Sequence, residues 1–85
     1  MLFVSMLNVI PGRSRDAVKL CKYPNLPPGV KIQRMLGMFG KPDMIIIFEA
    51  DNETAAAEFA MQFGTCCDCT TSLATDVDNL KWIQL

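Results

Sequence analysis

Hydrophobic positions form their most regular pattern between residues 44 and 63. Met44–Phe48 is an unbroken apolar run rich in isoleucine, and the turn Gly40–Asp43 precedes it. β-Branched residues favour strands, and apolarity without alternation is typical of a strand buried on both faces. After this strand, alanine and phenylalanine recur with the period of one helix stripe, at Ala55, Ala56, Phe59, Ala60 and Phe63. The pattern therefore predicts a central strand followed by an amphipathic helix.

Polar residues mark both ends of this predicted helix. The side chain of Asp51 or Asn52 can accept hydrogen bonds from the first free amides of the helix. Glu53 suits the positive end of the helix dipole, and Gly64 suits the position just after the last turn. Turn, strand, cap and helix thus follow one another with almost no residues between them.

The rest of the chain predicts three more strands and one more helix. We expect strands at Leu2–Val9, Val30–Met38 and Thr70–Val77, and a helix at Arg15–Lys22 that Ser14 caps. Tyr23–Gly29 contains three prolines and predicts a stiff connector between the first helix and the second strand. In the second strand, Arg34 breaks the alternation and falls on the apolar side. Residues 79–85 form a tail that is too apolar to be left in water.

The order of these elements predicts an α+β, ferredoxin-like βαββαβ fold in a single domain covering residues 1–85. Right-handed crossovers place both helices on one face of a four-stranded antiparallel sheet. We expect the strands to lie in the order fourth, first, third, second. The first and third strands are expected to be central and parallel to each other.

Both central strands are apolar on both sides, so at least five large apolar side chains are expected on the sheet face away from the helices. At about 100 Å² each they amount to roughly 500 Å², which is the largest apolar patch that a monomer normally tolerates. We expect a second copy to cover this face sheet to sheet, in a homodimer or a higher oligomer. The alternative is that the tail at 79–85 folds back over its own sheet.

The segment around the third strand also resembles a known family. Gly40–Asp43, the apolar strand, Glu49-Ala50, an acidic cap and an alanine-rich helix are similar to the GYD family of small proteins. The similarity covers roughly residues 37 to 64, and Pro42 stands where the family's Gly-x-Tyr-Asp signature has tyrosine. The resemblance implies a ferredoxin-like fold paired as a dimeric α+β barrel. This architecture includes ligand-binding domains of transcription regulators, cofactor-independent monooxygenases and haem-degrading enzymes, so the fold carries little functional information.

Charge is divided unevenly along the chain, although the net charge is only −1. A net charge near zero argues against non-specific binding to nucleic acid. Seven of the eight basic residues precede position 42, namely Arg13, Arg15, Lys19, Lys22, Lys31, Arg34 and Lys41. Eight of the nine acidic residues follow it, namely Asp43, Glu49, Asp51, Glu53, Glu58, Asp68, Asp76 and Asp78. The division indicates either ordinary solvated faces or a complementary contact between copies.

The first ten residues bear on where the protein is found. They are apolar, but they lack the basic start of a secretion signal and are too short to span a membrane. We therefore expect a cytoplasmic protein that does not bind membranes and whose four cysteines are reduced.

The cysteines form the one unusual cluster in the sequence. Cys66, Cys67 and Cys69 are close in sequence, and the topology is expected to bring Cys21 near Cys66. Four thiolates can bind zinc or an iron–sulfur cluster. However, adjacent cysteines in a strand point to opposite faces, and buried cysteine commonly serves as a small hydrophobic residue. We interpret all four as structural, with thiol redox chemistry and a metal site as alternatives.

Four polar residues lie on otherwise apolar strands, namely Ser5, Asn8, Arg34 and Glu49. A polar group in such a position needs a hydrogen-bond partner or water. These residues are candidates for binding a ligand in a pocket between the sheet and the helices. The alternative is that they pair with one another or lie at strand ends.

Histidine, the usual general base and the commonest metal ligand, does not occur in the sequence. We therefore expect no cofactor and no metal. The predicted function is that of a small homodimeric domain that binds a small ligand or a partner protein. A cofactor-independent oxygenase or isomerase of the barrel class is the alternative, so enzymatic activity is left open. A thiol-based redox or metal protein is the second alternative.

Overall fold

The computed structural model describes residues 1–81 and contains the six predicted elements in the predicted order. They are β1 (Leu2–Val9), α1 (Ser14–Lys22), β2 (Val30–Gly37), β3 (Met44–Ala50), α2 (Glu53–Met61) and β4 (Cys67–Ala74). Short 3-10 turns follow α2 and β4, at Gln62–Thr65 and Val77–Asn79. All four strands belong to one sheet, which confirms the α+β, ferredoxin-like fold. Most of the tail predicted at 79–85 lies outside the described residues.

The strands have the order β2-β3-β1-β4, as predicted, but one direction differs. β3 and β4 both pair antiparallel with β1, and β2 pairs antiparallel with β3. The prediction that the first and third strands are parallel is therefore wrong. The crossover through α1 makes β1 and β2 parallel, and the short β2–β3 connection reverses the chain. Because β3 lies between β1 and β2, it runs opposite to both.

β4 begins and ends three residues earlier than the predicted strand Thr70–Val77. It pairs along the whole of β1, from Val9 opposite Cys67 to Leu2 opposite Ala74. The length of β1 therefore sets the bounds of β4, which a local pattern cannot indicate. As a result, Cys67 and Cys69 belong to the strand and not to the link before it. β2 ends at Gly37, one residue earlier than predicted.

The two helices begin differently. The Asn52 side chain accepts a hydrogen bond of 2.8 Å from the Ala55 amide, which confirms the predicted cap of α2. α1 includes Ser14 as its first residue, and no side chain caps the helix at Arg13, so the prediction of a Ser14 cap is wrong. Within residues 1–81, neither helix is long and apolar enough to cross a membrane.

Four phenylalanines form the centre of the core between the sheet and α2. Ring centroids lie 5.6 Å apart for Phe3 and Phe48, 4.6 Å for Phe48 and Phe59, and 5.3 Å for Phe59 and Phe63. Such offset and edge contacts are the favourable geometries for aromatic rings. Of the helix stripe predicted from the sequence, Ala56, Phe59 and Phe63 lie in the core and Ala55 packs against it, whereas Ala60 is not among the core residues. Phe63 lies in the 3-10 turn, which also contains Gly64, so this glycine does not directly follow the last turn of α2.

Two hydrogen bonds link residues at the ends of neighbouring strands. The Asp43 carboxylate accepts a hydrogen bond of 2.8 Å from the Val9 amide at the end of β1. The Gly29 carbonyl accepts one of 3.1 Å from the Asp51 amide. Gly29 has a φ of +83°, and a Cβ at this position would collide with the Asp51 carboxylate. Glycine is therefore the residue that fits the start of β2.

Candidate functional site

We call the sheet face that points away from the helices the open face. Phe3 and Leu7 pack into the core with both helices, so the alternate residues of β1 point to the other side. Directly paired residues of neighbouring strands share a side of the sheet. The registers therefore assign to the open face Leu2, Val4, Met6, Asn8, Lys31, Arg34, Leu36, Ile45, Ile47, Glu49, Asp68, Thr70, Ser72 and Ala74.

The middle of the open face is apolar. Five aliphatic side chains there are half-buried, namely Leu2, Val4, Leu36, Ile45 and Ile47. Met6, at the centre of β1, is 38% exposed. Contiguous apolar patches of this kind on a soluble protein usually mark an interaction surface.

A β-bulge in β2 explains why Arg34 lies on this face. The pairing of β2 with β3 passes from Ile32 opposite Phe48 to Arg34 opposite Ile47, so Gln33 is an extra residue. An extra residue shifts every later side chain of the strand to the other side of the sheet. This places Arg34 next to an aliphatic neighbour, as the broken alternation predicts.

Three of the four candidate ligand-binding residues lie on the open face, on different strands. Glu49 of β3 lies opposite Lys31, and Asn8 of β1 lies opposite Asp68. Arg34 is on β2, which is two strands away from β1. The Oδ1 atom of Asn8 is buried and has no hydrogen-bond partner within residues 1–81. Buried acceptors in folded proteins are normally bonded, so this oxygen is an exception within the described residues.

The fourth candidate, Ser5, points to the helix side and is separated from the others by the sheet itself. Its side chain is fully buried, and its hydroxyl lies 2.6 Å from the Thr71 hydroxyl on β4. The Thr71 hydroxyl is also 3.7 Å from the Cys69 sulfur. A single pocket between sheet and helices containing all four residues is therefore not formed.

A groove on the helix side, which we call the α2–β4 groove, was not predicted from the sequence. Its volume is about 560 Å³. The helix wall and the strand wall are lined by Ala57, Ala60, Met61, Gly64, Cys67, Asp68, Cys69 and Thr71. Of the four residues in the helix wall, Ala57, Ala60 and Gly64 are small. The groove exists because α2 and the turn after it have small residues where they face the edge of the sheet.

The cysteines are buried or half-buried thiols in one region of the core. The Cys66 and Cys67 sulfurs lie 3.8 Å apart. Burial, followed by the Cys66 thiol as hydrogen-bond partner, raises the pKa of Cys67 to about 12. Burial and the neighbouring Cys66 also raise the pKa of Cys21. Thiols held protonated in this way are poor nucleophiles and poor metal ligands.

Cys66 and Cys69 have the two-residue spacing that occurs in metal sites. In the described part of the chain, however, no three cysteine, aspartate or glutamate side chains converge to hold a metal ion. The interpretation of the cysteines as structural residues stays a prediction.

The comparison with known protein families identifies one match. A family model described as a domain of unknown function, DUF3303, matches residues 1–83. The chain belongs to the DUF3303 family. No curated protein and no solved structure matched it. The match spans nearly the whole chain, whereas the GYD resemblance concerns only its middle and stays a prediction.

Sequence reasoning missed two features of this DUF3303 domain that depend on distant pairing. Thr71 was assigned to a strand, but its bond to Ser5 spans 66 positions. The small residues Ala57, Ala60 and Gly64 recur every three or four positions, which is a signal that could have indicated the groove. These small residues indicate a groove only once β4 is known to lie beside them.

Proposed function

We propose that this DUF3303 domain is a homodimeric binding module in which the open faces of two copies pack against each other. The observation that supports the dimer is the patch of partly exposed aliphatic side chains around Met6 and Ile47. Two such faces bury each other's apolar surface, which the hydrophobic effect favours. A sheet-to-sheet pair is also what the GYD resemblance implies.

The size of the open face supports a dimer. Four strands about 4.8 Å apart and about seven residues long cover roughly 450 Å². Side chains make the accessible area larger than this plane, so two faces together exceed the roughly 1,000 Å² that a specific interface needs. A stable two-fold pair is therefore feasible without further contacts.

The charges at the two edges of the sheet support a self-complementary arrangement. Lys31 and Arg34 lie on β2, at one edge. Asp76 follows β4 at the other edge, two residues after Ala74, which lies level with Lys31. A two-fold axis that stacks β2 of one copy over β4 of the other brings the basic edge and this acidic end together twice. Each exposed pair contributes only about 0–1 kcal/mol, so the charges orient the copies while apolar burial holds them.

A lysine at the centre of the open face tests the proposed interface. Val4 lies opposite Ile47 and Ser72, in the middle of the face. We expect Val4→Lys to give a folded monomer by sedimentation velocity, because the interface would have to bury an unpaired charge. The matched control is Val18→Lys, since Val18 is 51% exposed on α1.

The control variant should sediment as a dimer, like the unchanged protein. If Val4→Lys remains a dimer with an unchanged sedimentation coefficient, β1 is not part of the interface. Circular dichroism of each variant separates loss of the dimer from loss of the fold.

The binding function is placed on the helix side, because the dimer occupies the open face. The α2–β4 groove has a volume of about 560 Å³, within the range of about 300–1,000 Å³ that is usual for binding pockets. Its walls combine apolar side chains with Thr71, whose side chain points to the helix side, and with the edge of β4 at Asp68. Such a mixture suits recognition of a bound molecule by shape with a few polar contacts.

A further inference from the structure

We propose that the α2–β4 groove binds an extended basic peptide segment of a partner protein, which adds to β4 as a fifth strand. This inference rests on the proposed binding function and names its partner. It does not need the proposed dimer, because it uses the free edge of β4 and the helix side of the sheet.

β4 has an edge that is suited to accept another strand. It is the last strand of the sheet, and all eight of its residues pair with β1 without a register shift. Within residues 1–81 no further strand pairs with its outer edge, which therefore presents a regular row of backbone donors and acceptors. Proteins usually protect such edges with charged side chains, proline or a bulge, and in Cys67–Ala74 only Asp68 is charged and there is no proline or bulge.

The opposite edge of the sheet is protected. β2 has the bulge at Gln33, and it carries Lys31 and Arg34. A bulge bends the strand and interrupts the regular row of backbone groups. The contrast between the two edges indicates that β4, and not β2, is the edge open to strand addition.

The groove gives the added strand a place for its side chains. Cys67, Cys69, Thr71 and Leu73 are the residues of β4 that point to the helix side, and the first three line the groove. Alternate side chains of a strand added to β4 would point the same way and lie under α2. Ala57 and Ala60 leave room for them, since larger residues there would fill the space. Backbone bonding to a strand edge with pockets for alternate side chains is an established mode of peptide recognition.

Charge indicates that the peptide is basic. Asp68 lines the groove, and residues 43–80 contain eight acidic residues and no lysine or arginine. The half of the chain that forms α2 and β4 is therefore uniformly acidic. Opposite charge on the peptide speeds its encounter and excludes acidic competitors.

Synthetic peptides test the proposal directly. The probe is a blocked hexapeptide in which valine alternates with lysine; its two controls are the valine–glutamate peptide and the valine–lysine peptide with alternate backbone nitrogens methylated. Binding is measured by NMR titration of the isotope-labelled protein, with amide hydrogen exchange along β4. We expect the lysine peptide to shift and protect β4 amides. Loss of two or more backbone hydrogen bonds should weaken the methylated peptide by about tenfold or more.

A pair of variants locates the binding site. Ala60→Leu should weaken the lysine peptide by about tenfold, because the added side chain fills the groove. Thr54→Leu adds apolar bulk at an exposed position of α2 outside the groove, and should leave binding unchanged. Sedimentation should show the same dimer in both variants, so a failure of the peptide site is distinguishable from a failure of the dimer.

Three outcomes would overturn the proposal. The first is no shift of β4 amides at millimolar lysine peptide. The second is binding that backbone methylation or Ala60→Leu leaves unchanged. The third is protection of the β4 amides from hydrogen exchange in the absence of peptide, if that protection is lost on dilution. Such a result would show that a second copy of this chain pairs with the edge of β4.

Discussion

Gly29 is a residue at which the backbone itself requires one amino acid. Its φ of +83° is unfavourable for other residues, and a Cβ would lie 2.9 Å from the Asp51 Cγ atom. We expect Gly29→Ala to lower the free energy of unfolding by about 1–3 kcal/mol in urea denaturation. Gly37→Ala is the matched control, since a Cβ there meets nothing within 4 Å. Equal stability of the two variants would show that the turn before β2 adapts without cost.

Cys67 should make the stability of the fold depend on pH in the alkaline range. Its pKa is raised from 9.0 to about 12, so folding favours the protonated thiol. That contribution is complete below about pH 9, where the unfolded thiol is also protonated, and is lost as the pH rises towards 12. The free energy of unfolding should therefore fall in this window, by at most about 1.4 kcal/mol per pH unit for one thiol.

Urea denaturation under reducing conditions at several alkaline pH values measures this slope. Cys67→Ala should flatten it, in addition to a pH-independent loss of about 1–3 kcal/mol from the missing side chain. Cys69→Ala, on the same strand but only half-buried, serves as the control for deletion of a thiol. An identical slope in the unchanged protein and in Cys67→Ala would contradict this role of Cys67.

At the scale of single residues, the sequence predicts hydrogen bonds between residues that are close together in the chain. Asn52 was predicted as a cap because its partner, Ala55, is three positions away. The Asp43 carboxylate bonds to Val9 across 34 positions, and no local pattern reports such a partner. Asn8, Arg34 and Glu49 were identified as polar exceptions on apolar strands, but their sides of the sheet follow only from the register.

At the scale of the elements, the two edge strands carry opposite charge on the open face. Arg34 of β2 is the better residue to reverse, because it lies opposite Ile47, whereas Lys31 lies opposite Glu49 within the same copy. We expect Arg34→Glu to slow dimer formation, measured by stopped-flow mixing of labelled protein. Asp76→Lys added to it should restore part of the rate.

Salt provides the matching control for this charge effect. Raising the ionic strength from about 0.05 to about 0.5 M shortens the Debye length from about 14 to about 4 Å. The unchanged protein should then associate more slowly, with little change in its equilibrium constant. If neither salt nor the charge reversal alters the association rate, the uneven distribution of charge has no part in assembly.

The strands also show which features of the sheet a hydrophobic pattern can predict and which it cannot. β1 and β3 were predicted well, because burial on both faces gives them continuous apolar runs. β4 was misplaced by three residues, because its bounds depend on pairing with β1 and its own sequence is mostly small and polar. The bulge at Gln33 is reflected in the sequence by the broken alternation at Arg34. The extra residue itself can be identified only from the pairing of β2 with β3.

At the scale of the whole molecule, we propose that the open face is an interface between two copies. One side of the sheet packs on the helices, and the other side holds Val4, Met6, Ile45 and Ile47 partly exposed. A chain of 85 residues buries only about 60–65% of its unfolded surface alone, so a partner adds stability that its own core cannot.

Sedimentation equilibrium of the unchanged protein over micromolar concentrations decides whether two copies associate. One chain has a mass of 9.4 kDa. We expect a single species of twice that mass at the higher concentrations, which dissociates to monomers on dilution. A mass of one chain across the whole range would contradict it.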